Sequence, residues 1–249
     1  MKKLSTLFLF LGILNHHLVI AQTTDLKKGD YLAHKASKPV LVDGNGNDKD
    51  WAKASSQLLD NTWLGLDPSQ DDVTGTYKIL WDENYVYYLV TIHDDSLSDQ
   101  HKSPFELWWE DDCLELFIDE NNSDGNHQYN HSAFAYHITL DLDVVDMSSD
   151  EKPLLLNDHI LAKWIKTAPH TYTWEVALRV FDDTFDEKSK KNMPIKLAQG
   201  KKMGFAVSYN DNDGNFKREN FIGSVPISGE DKNRAWIDAG IFGTLELAK

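Results

Sequence analysis

The sequence predicts an all-β fold, an antiparallel β-sandwich of the immunoglobulin-like or jelly-roll type. Two observations carry this prediction: apolar and polar residues alternate in many short segments, and helical periodicity is scarce. Runs rich in Asn, Asp and Gly, such as 121–125 and 210–214, separate the alternating segments and are typical of turns. Many short strands joined by polar turns favour two antiparallel sheets packed face to face.

The alternation also predicts where the strands lie and which faces they bury. The strands are expected at 77–81, 85–93, 113–119, 134–142, 172–180 and 203–209. In the third of these, three aliphatic residues share one face, and the opposite face carries Cys113, Glu115 and Phe117. The charged stretch 182–192 is expected to hold at most a turn or a short helix.

The first 21 residues have the pattern of a secretory signal peptide. Lys2 and Lys3 precede an apolar run that is too short to span a bilayer, and the run is followed by a small residue, Ala21. Residues 22–38 show no periodicity and are expected to form a short linker, so that 39–249 is one β-sandwich domain. The protein is therefore expected to be secreted, into the periplasm or the medium.

A single cysteine and an acidic balance limit the possible partners. Cys113 is the only cysteine and lies far from the cleavage point, so neither an internal disulfide nor a lipid anchor in the membrane is expected. The net charge of −15 argues against nucleic acid, whose phosphates would be repelled. The acidic runs 119–125 and 211–213 offer oxygen ligands for calcium, with ordinary turns as the alternative.

The motifs of common enzyme classes are missing from the sequence. It contains no HExxH zinc motif, no G-x-S-x-G elbow, no P-loop and no dinucleotide fingerprint. A glycosidase needs two carboxylates at a fixed separation, but carboxylates are so abundant here that no pair is singled out. We therefore expect a binding protein rather than an enzyme.

Tryptophan is the strongest indication of a ligand. Trp81 and Trp174 lie in strand patterns, whereas Trp108, Trp109 and Trp236 lie in polar segments beside predicted strands. An indole in a loop offers a broad apolar face and a polar N–H. Two such faces can hold a sugar ring through its C–H groups, and packing into the fold is the alternative.

Several short motifs occur in a fixed order from about Pro39 to the C-terminus. They are Val42-Asp43-Gly44 with Asp50-Trp51; 77–82 with 86–89 and Asp94-Asp95-Ser96; 109–119; 174–177; Gly204-Phe205 with Asn210-Asp211; and Trp236 with 242–247. In this order and over nearly the whole mature chain, they resemble the family 9 carbohydrate-binding modules, which belong to the DOMON-like β-sandwiches.

The resemblance implies a β-sandwich that grips the end of a glucan or xylan chain between two tryptophans and so supports polysaccharide breakdown. It places the two tryptophans at Trp109 and Trp236, and hydrogen bonds to sugar hydroxyls at Glu115 and Asn233. Trp108 is an alternative to Trp109 because the two are adjacent. Members of the family carry structural calcium, which is therefore the expected cofactor, and an oligo- or polysaccharide is the expected partner.

The same sandwich superfamily also includes haem-binding electron-transfer domains, in which His and Met side chains ligate iron. Met147, Met193, Met203 and several of the ten histidines are candidates, and no spacing selects a pair among them. Haem binding is therefore the alternative function that the resemblance implies.

Overall fold

The computed structural model describes residues 29–249, so the predicted signal peptide and residues 22–28 of the predicted linker lie outside the described residues. Two 3-10 helices span Lys49–Lys53 and Ala239–Ile241. The strands are β1 (Tyr31–Lys35), β2 (Gln57–Leu58), β3 (Asn61–Leu64), β4 (Val73–Trp81), β5 (Val86–Asp94), β6 (Cys113–Asp119), β7 (Phe134–Thr139), β8 (Val144–Met147), β9 (Pro153–Leu155), β10 (Ile160–Ala168), β11 (Thr171–Leu178), β12 (Lys202–Asp211), β13 (Asn220–Gly223) and β14 (Gly243–Leu247).

The strands form two sheets that β1 connects. The first sheet has the order β10-β11-β5-β4, and β2 pairs with β4. The second has the order β14-β12-β6-β7-β8-β9, with β13 on β12 and β3 on β13. Residues 31–33 of β1 pair with β14 and residues 34–35 pair with β4, so this strand passes from one sheet to the other.

The predicted all-β sandwich is confirmed, with one correction to its strand directions. β1 runs parallel to both of its neighbours, whereas the remaining pairs between the strands named above are antiparallel. The alternation pattern reveals that a segment is a strand, but it carries no information on the direction of the partner.

The main core lies between the two sheets and contains the faces that the alternation predicted. The second sheet contributes Leu114, Leu116 and Ile118 of β6, and the first contributes Trp174 and Val176 of β11 to the same cluster. Burial of these apolar faces is the main stabilising contribution to the sandwich.

The second sheet is also buried on its outer face. All residues of β6 are buried, and the face opposite the main core packs under loops in a second cluster. That cluster contains Trp63, Phe117, Ala135, Ala206, Phe221, Val225, Ile227 and Ala235. Side chains on this outer face can therefore be held rigidly between a sheet and a layer of loops.

The linker prediction for residues 22–38 is wrong for its described part. Tyr31 and Ala33 of β1 are buried, the Tyr31 hydroxyl donates to the Ser55 carbonyl at 2.6 Å, and it accepts from the Ile79 N–H at 3.0 Å. Two inward residues in a five-residue strand give too short an alternation to recognise. The segment 182–192 contains turns and no helix.

No helix among residues 29–249 is both long enough and apolar enough to cross a membrane.

Candidate functional site

A cavity of about 330 Å³ opens on the outer face of the second sheet. Glu115 and Phe117 on β6 lie opposite His137 and Ala135 on β7 in the antiparallel register, and all four line it. Loops and neighbouring strands complete the lining with Trp108, Trp109, His127, Tyr129, Asp146, Met147, Arg218, Phe221, Asn233 and Trp236. The four site residues expected from the sequence, at positions 109, 115, 233 and 236, thus all line one cavity.

Trp108 and Trp109 have different environments in this cavity. Their rings meet edge to face, with centroids 4.7 Å apart and planes at 86°. Trp108 is 6% exposed, and its indole nitrogen has no hydrogen-bond partner among the described residues. Trp109 is half-buried and its indole N–H donates to Glu110 Oε1 at 3.0 Å. The polar group of Trp109 is therefore already bonded within the protein.

Trp236 is half-buried on the loop before the second 3-10 helix. Its ring lies 6.2 Å from that of Tyr129, at 63°, and packs against the cluster on the outer face of the sheet. Tyr129 lies in the long loop 120–133 between β6 and β7 and adopts a positive φ of 58°. Aromatic contact of this kind fixes the orientation of the indole before any ligand arrives.

Glu115 anchors a buried polar network at the floor of the cavity. Its Oε1 accepts a hydrogen bond from Asn210 Nδ2 and lies 3.0 Å from His137 Nε2 and 3.6 Å from Arg218 Nη1. Arg218 also donates to Asn210 Oδ1 at 2.5 Å and stacks over the Phe221 ring at 4.6 Å. These contacts all fall on Oε1, which leaves Oε2 able to accept a further hydrogen bond.

The network sets the charges at the floor of the cavity. Burial opposes ionisation of Glu115, but His137 and Arg218 outweigh it and hold the pKa of this carboxyl below its usual value. Burial would lower the pKa of His137, yet Glu115 raises it overall, and both ring nitrogens face acceptors, Glu115 and the Ala135 carbonyl at 3.1 Å. The pair is therefore an ion pair at neutral pH.

Two further groups complete the electrostatics of the cavity. Burial raises the pKa of Asp146 to about 6, although the N–H groups of Ala135 and Met147 both donate to it. Burial lowers the pKa of His127, whose Nε2 lies 2.8 Å from the Ala235 carbonyl, so this imidazole is neutral. At neutral pH the lining holds two cations and two carboxylates.

Asn233 lies at the rim, in the loop that carries Trp236. Its backbone N–H donates to Asp231 Oδ1 at 3.0 Å, and its side-chain amide bonds to none of residues 29–249. An amide offers both a donor and an acceptor. Asn233 can therefore bond adjacent hydroxyls of a bound molecule.

Several lining residues were not predicted from the sequence. His137 could have been inferred, because the β7 alternation turns it to the same outer side as Glu115 on the neighbouring strand. Arg218 and Tyr129 lie in loops and carry no periodic signal. Their presence depends on how the loops fold over the sheet.

The positions of the methionines do not favour haem. Met203 is buried in the core between the sheets and Met193 is 79% exposed. Met147 lines the cavity near His137, but both nitrogens of that imidazole already contact acceptors. An iron ligand needs a nitrogen lone pair, so this arrangement suits hydrogen bonding better than ligation.

The two acidic runs differ in their surroundings. Asp119 accepts backbone N–H bonds from Asn121 and Asp124, the arrangement of an ordinary turn. Asp211, in the second run, joins Asp94 and Asp112 in a buried group, in which one carboxylate oxygen of each lies within 4.8 Å of the others.

This group, the aspartate triad Asp94, Asp112 and Asp211, fits a divalent cation. Burial and neighbouring carboxylates raise the pKa of Asp112 to about 10 and that of Asp211 to about 8. Asp211 Oδ1 is buried with no hydrogen-bond partner among the described residues. Clustered carboxylate oxygens are the donors that calcium prefers. The triad also overlaps with a second group, Asp94, Asp95 and Asp213.

Fold and site together define a class of protein. A β-sandwich that holds half-buried aromatic rings around a polar-floored cavity is a ligand-binding domain for small molecules with both apolar and hydroxylated faces. The chain belongs to the family described as carbohydrate family 9 binding domain-like, whose profile matches residues 42–249. The resemblance noted in the sequence is thereby confirmed, and the domain is a carbohydrate-binding module rather than a catalytic one.

The relatives include large enzymes. The chain is 26% identical over 196 residues to endo-1,4-beta-xylanase A of Thermotoga maritima. This alignment covers 78% of this chain and 16% of that enzyme. It is also 26% identical over 207 residues to exoglucanase XynX of Acetivibrio thermocellus. That alignment covers 83% of this chain and 16% of that enzyme. The chain thus spans a small part of the length of these relatives.

Solved structures share the fold. A family 9 carbohydrate-binding module from Caldicellulosiruptor kristjanssonii, in complex with cellotriose, has a TM-score of 0.66 at 20% identity and covers 88% of this chain and 93% of that one. A protein from Bacteroides uniformis has a TM-score of 0.54 at 14% identity, and the match covers 88% of this chain and 98% of that one.

Proposed function

We propose that this protein is a secreted saccharide-binding protein that holds the terminal ring of a glucan or xylan chain between Trp109 and Trp236 and so supports polysaccharide breakdown. One observation carries the proposal. Two half-buried indoles, a carboxylate and an unbonded amide, which are far apart in the sequence, line the same cavity. Apolar faces combined with a few directed polar groups are what sugar recognition needs.

The environments of the adjacent tryptophans favour Trp109 over Trp108 as one side of the grip. Trp109 is the more exposed of the two, and Glu110 holds its indole in place through the N–H. Trp108 is buried beside it, with its ring roughly perpendicular to the rings of Trp109 and His137. Trp108 therefore acts as a support that orients Trp109.

The polar groups favour an uncharged sugar. The cations Arg218 and His137 balance the carboxylates Glu115 and Asp146, so an anionic ligand would gain little from this cavity. Glu115 Oε2 accepts a hydrogen bond from one sugar hydroxyl, and the Asn233 side-chain amide bonds another. The cellotriose complex of the structural neighbour, and the xylanase and exoglucanase names of the relatives, support a glucan or xylan chain end.

Calorimetric titration with cellobiose and xylobiose tests the grip. We expect binding heat with at least one sugar, and Trp109→Ala and Trp236→Ala should each weaken binding by roughly 30-fold or more, because a stacked aromatic anchor contributes ~2 kcal/mol or more. Leu66→Ala is the control, since Leu66 is 86% exposed and outside the cavity. Unchanged affinity in both tryptophan variants would refute the grip.

Secretion and calcium are further parts of the proposal. The Lys-rich start and apolar run of residues 1–21 support export, and mass spectrometry of the exported protein should find Gln22 as its first residue. An N-terminus at Met1 in the exported protein would contradict the assignment. The orphaned oxygen of Asp211 and the all-carboxylate donor set support calcium as a structural ion at the aspartate triad.

A further inference from the structure

The aspartate triad lies at the base of two loops that reach the cavity. Asp94 ends β5 and Asp112 immediately precedes β6, so the loop 95–112 between them begins and ends at the triad. Asp211 ends β12, where the loop 212–219 begins. The first loop carries Trp109 and the second carries Arg218, both of which line the cavity.

A continuous chain of hydrogen bonds joins the triad to the cavity. The backbone N–H of Asn212 donates to Asp112 Oδ1 at 2.7 Å, and its side-chain amide donates to the Glu110 carbonyl at 2.6 Å. The Glu110 carboxylate then accepts from the Trp109 indole N–H at 3.0 Å and from the Arg218 backbone N–H at 3.1 Å. Glu110 therefore fixes both loops relative to each other and to the indole.

The residues that the structure describes supply no cation to the triad. Within residues 29–249, its hydrogen-bond donors are neutral: the Tyr209 hydroxyl, the Asn220 amide and the N–H groups of Ser96, Ser98 and Asn212. None of the ion pairs found in these residues includes a member of the triad. Without a bound cation, no charged partner among the described residues therefore ties together the ends of these three strands and the loops attached to them.

We propose, building on the saccharide function above, that a divalent cation at Asp94, Asp112 and Asp211 pre-organises Trp109 and Arg218 through Asn212 and Glu110, so that cation and saccharide bind with positive cooperativity. The cation holds the loop bases together, and the ligand then no longer has to order them. Because the two loops are already ordered before the saccharide binds, the free energy of ordering them no longer reduces its affinity. Linkage makes the effect reciprocal: bound saccharide tightens cation binding by the same factor.

Calcium chloride titration of chelator-treated protein gives the first test. Calorimetry should show calcium binding, and hydrogen exchange should slow at the N–H groups of Ser98, Asn212 and Arg218, which bond within the two loop bases. Neither readout needs a saccharide. Exchange rates at these amides that do not change when calcium binds would overturn the proposal.

Saccharide affinity gives the second test. For the wild-type protein we expect binding of cellobiose or xylobiose to weaken at least about 5-fold when EGTA replaces calcium. Glu110→Ala should still bind calcium, but its saccharide affinity should be low and independent of calcium. Glu106→Ala, an exposed position on the same loop, should keep the full calcium effect.

The outcomes separate this inference from the function on which it rests. Equal saccharide affinity with and without calcium overturns the coupling and leaves the saccharide function standing. Slower exchange on calcium binding, with no saccharide bound under either condition, supports the ordering of the loops and refutes the saccharide function.

Discussion

Replacing Asp211 by asparagine should change stability in opposite directions with and without calcium. Asp211 is 1% exposed, and burial among carboxylates raises its pKa to about 8 from the ordinary 3.8. Without a cation the folded state holds a proton that the unfolded state has lost at pH 7. The stabilisation that this carboxyl contributes to the folded state is therefore smallest at high pH. It is fully present below about pH 3.8 and is lost as the pH rises through about 8.

The magnitude follows from the gap of about three pH units between pH 7 and 3.8, at ~1.4 kcal/mol per unit, which gives an upper bound of roughly 4 kcal/mol. Relaxation of the neighbouring carboxylates reduces this to about 2 kcal/mol, or roughly 4–8 °C in Tm for a domain of this size. In EGTA, Asp211→Asn should raise Tm by that amount. In calcium the same change should lower Tm, because the ion loses a charged ligand.

Thermal unfolding followed by circular dichroism at pH 7, in EGTA and in calcium, checks the prediction. Asp183→Asn is the control, since Asp183 is exposed and outside the triad, and its effect should be small in both buffers. The wild-type protein in EGTA should also lose stability between pH 5 and pH 8. A change of the same sign for Asp211→Asn in both buffers would refute the reasoning.

Three further changes probe the fold and the floor of the cavity. Gly223→Ala should cost about 2 kcal/mol or more in urea unfolding, because its Cβ would lie 2.2 Å from the Trp63 ring, and an unchanged midpoint would contradict this packing. Tyr31→Ala should cost roughly 3–5 kcal/mol by the same assay, as expected for a buried aromatic of the sandwich and not for a linker residue. Glu115→Gln should weaken saccharide binding by about tenfold or more in calorimetry. It should also lower the pKa of His137, measured by NMR, because the carboxylate that raises this pKa is lost. An unchanged pKa of His137 would exclude the ion pair.

Local periodicity carried much of the fold. Alternation along β6, β7, β11 and β12 predicted which side chains enter the core, and the structure places those faces between the sheets. It also placed Glu115 on the face of β6 opposite its aliphatic neighbours, whereas its role in a site was implied by the family resemblance. The limits of alternation appear at β1, where five residues with two inward side chains were too few to distinguish a strand from a linker.

Residue types and their order along the chain were therefore sufficient for the sandwich, the family and four lining residues of the cavity. Only the tertiary structure decided which residues meet: Glu115 with His137 and Arg218, and the three aspartates of the triad from the ends of different strands. It also decided that Trp109 is half-buried whereas Trp108 is buried. The physical reason is that periodicity specifies the face on which a side chain lies, whereas contacts between distant residues depend on strand register and on how loops pack over a sheet.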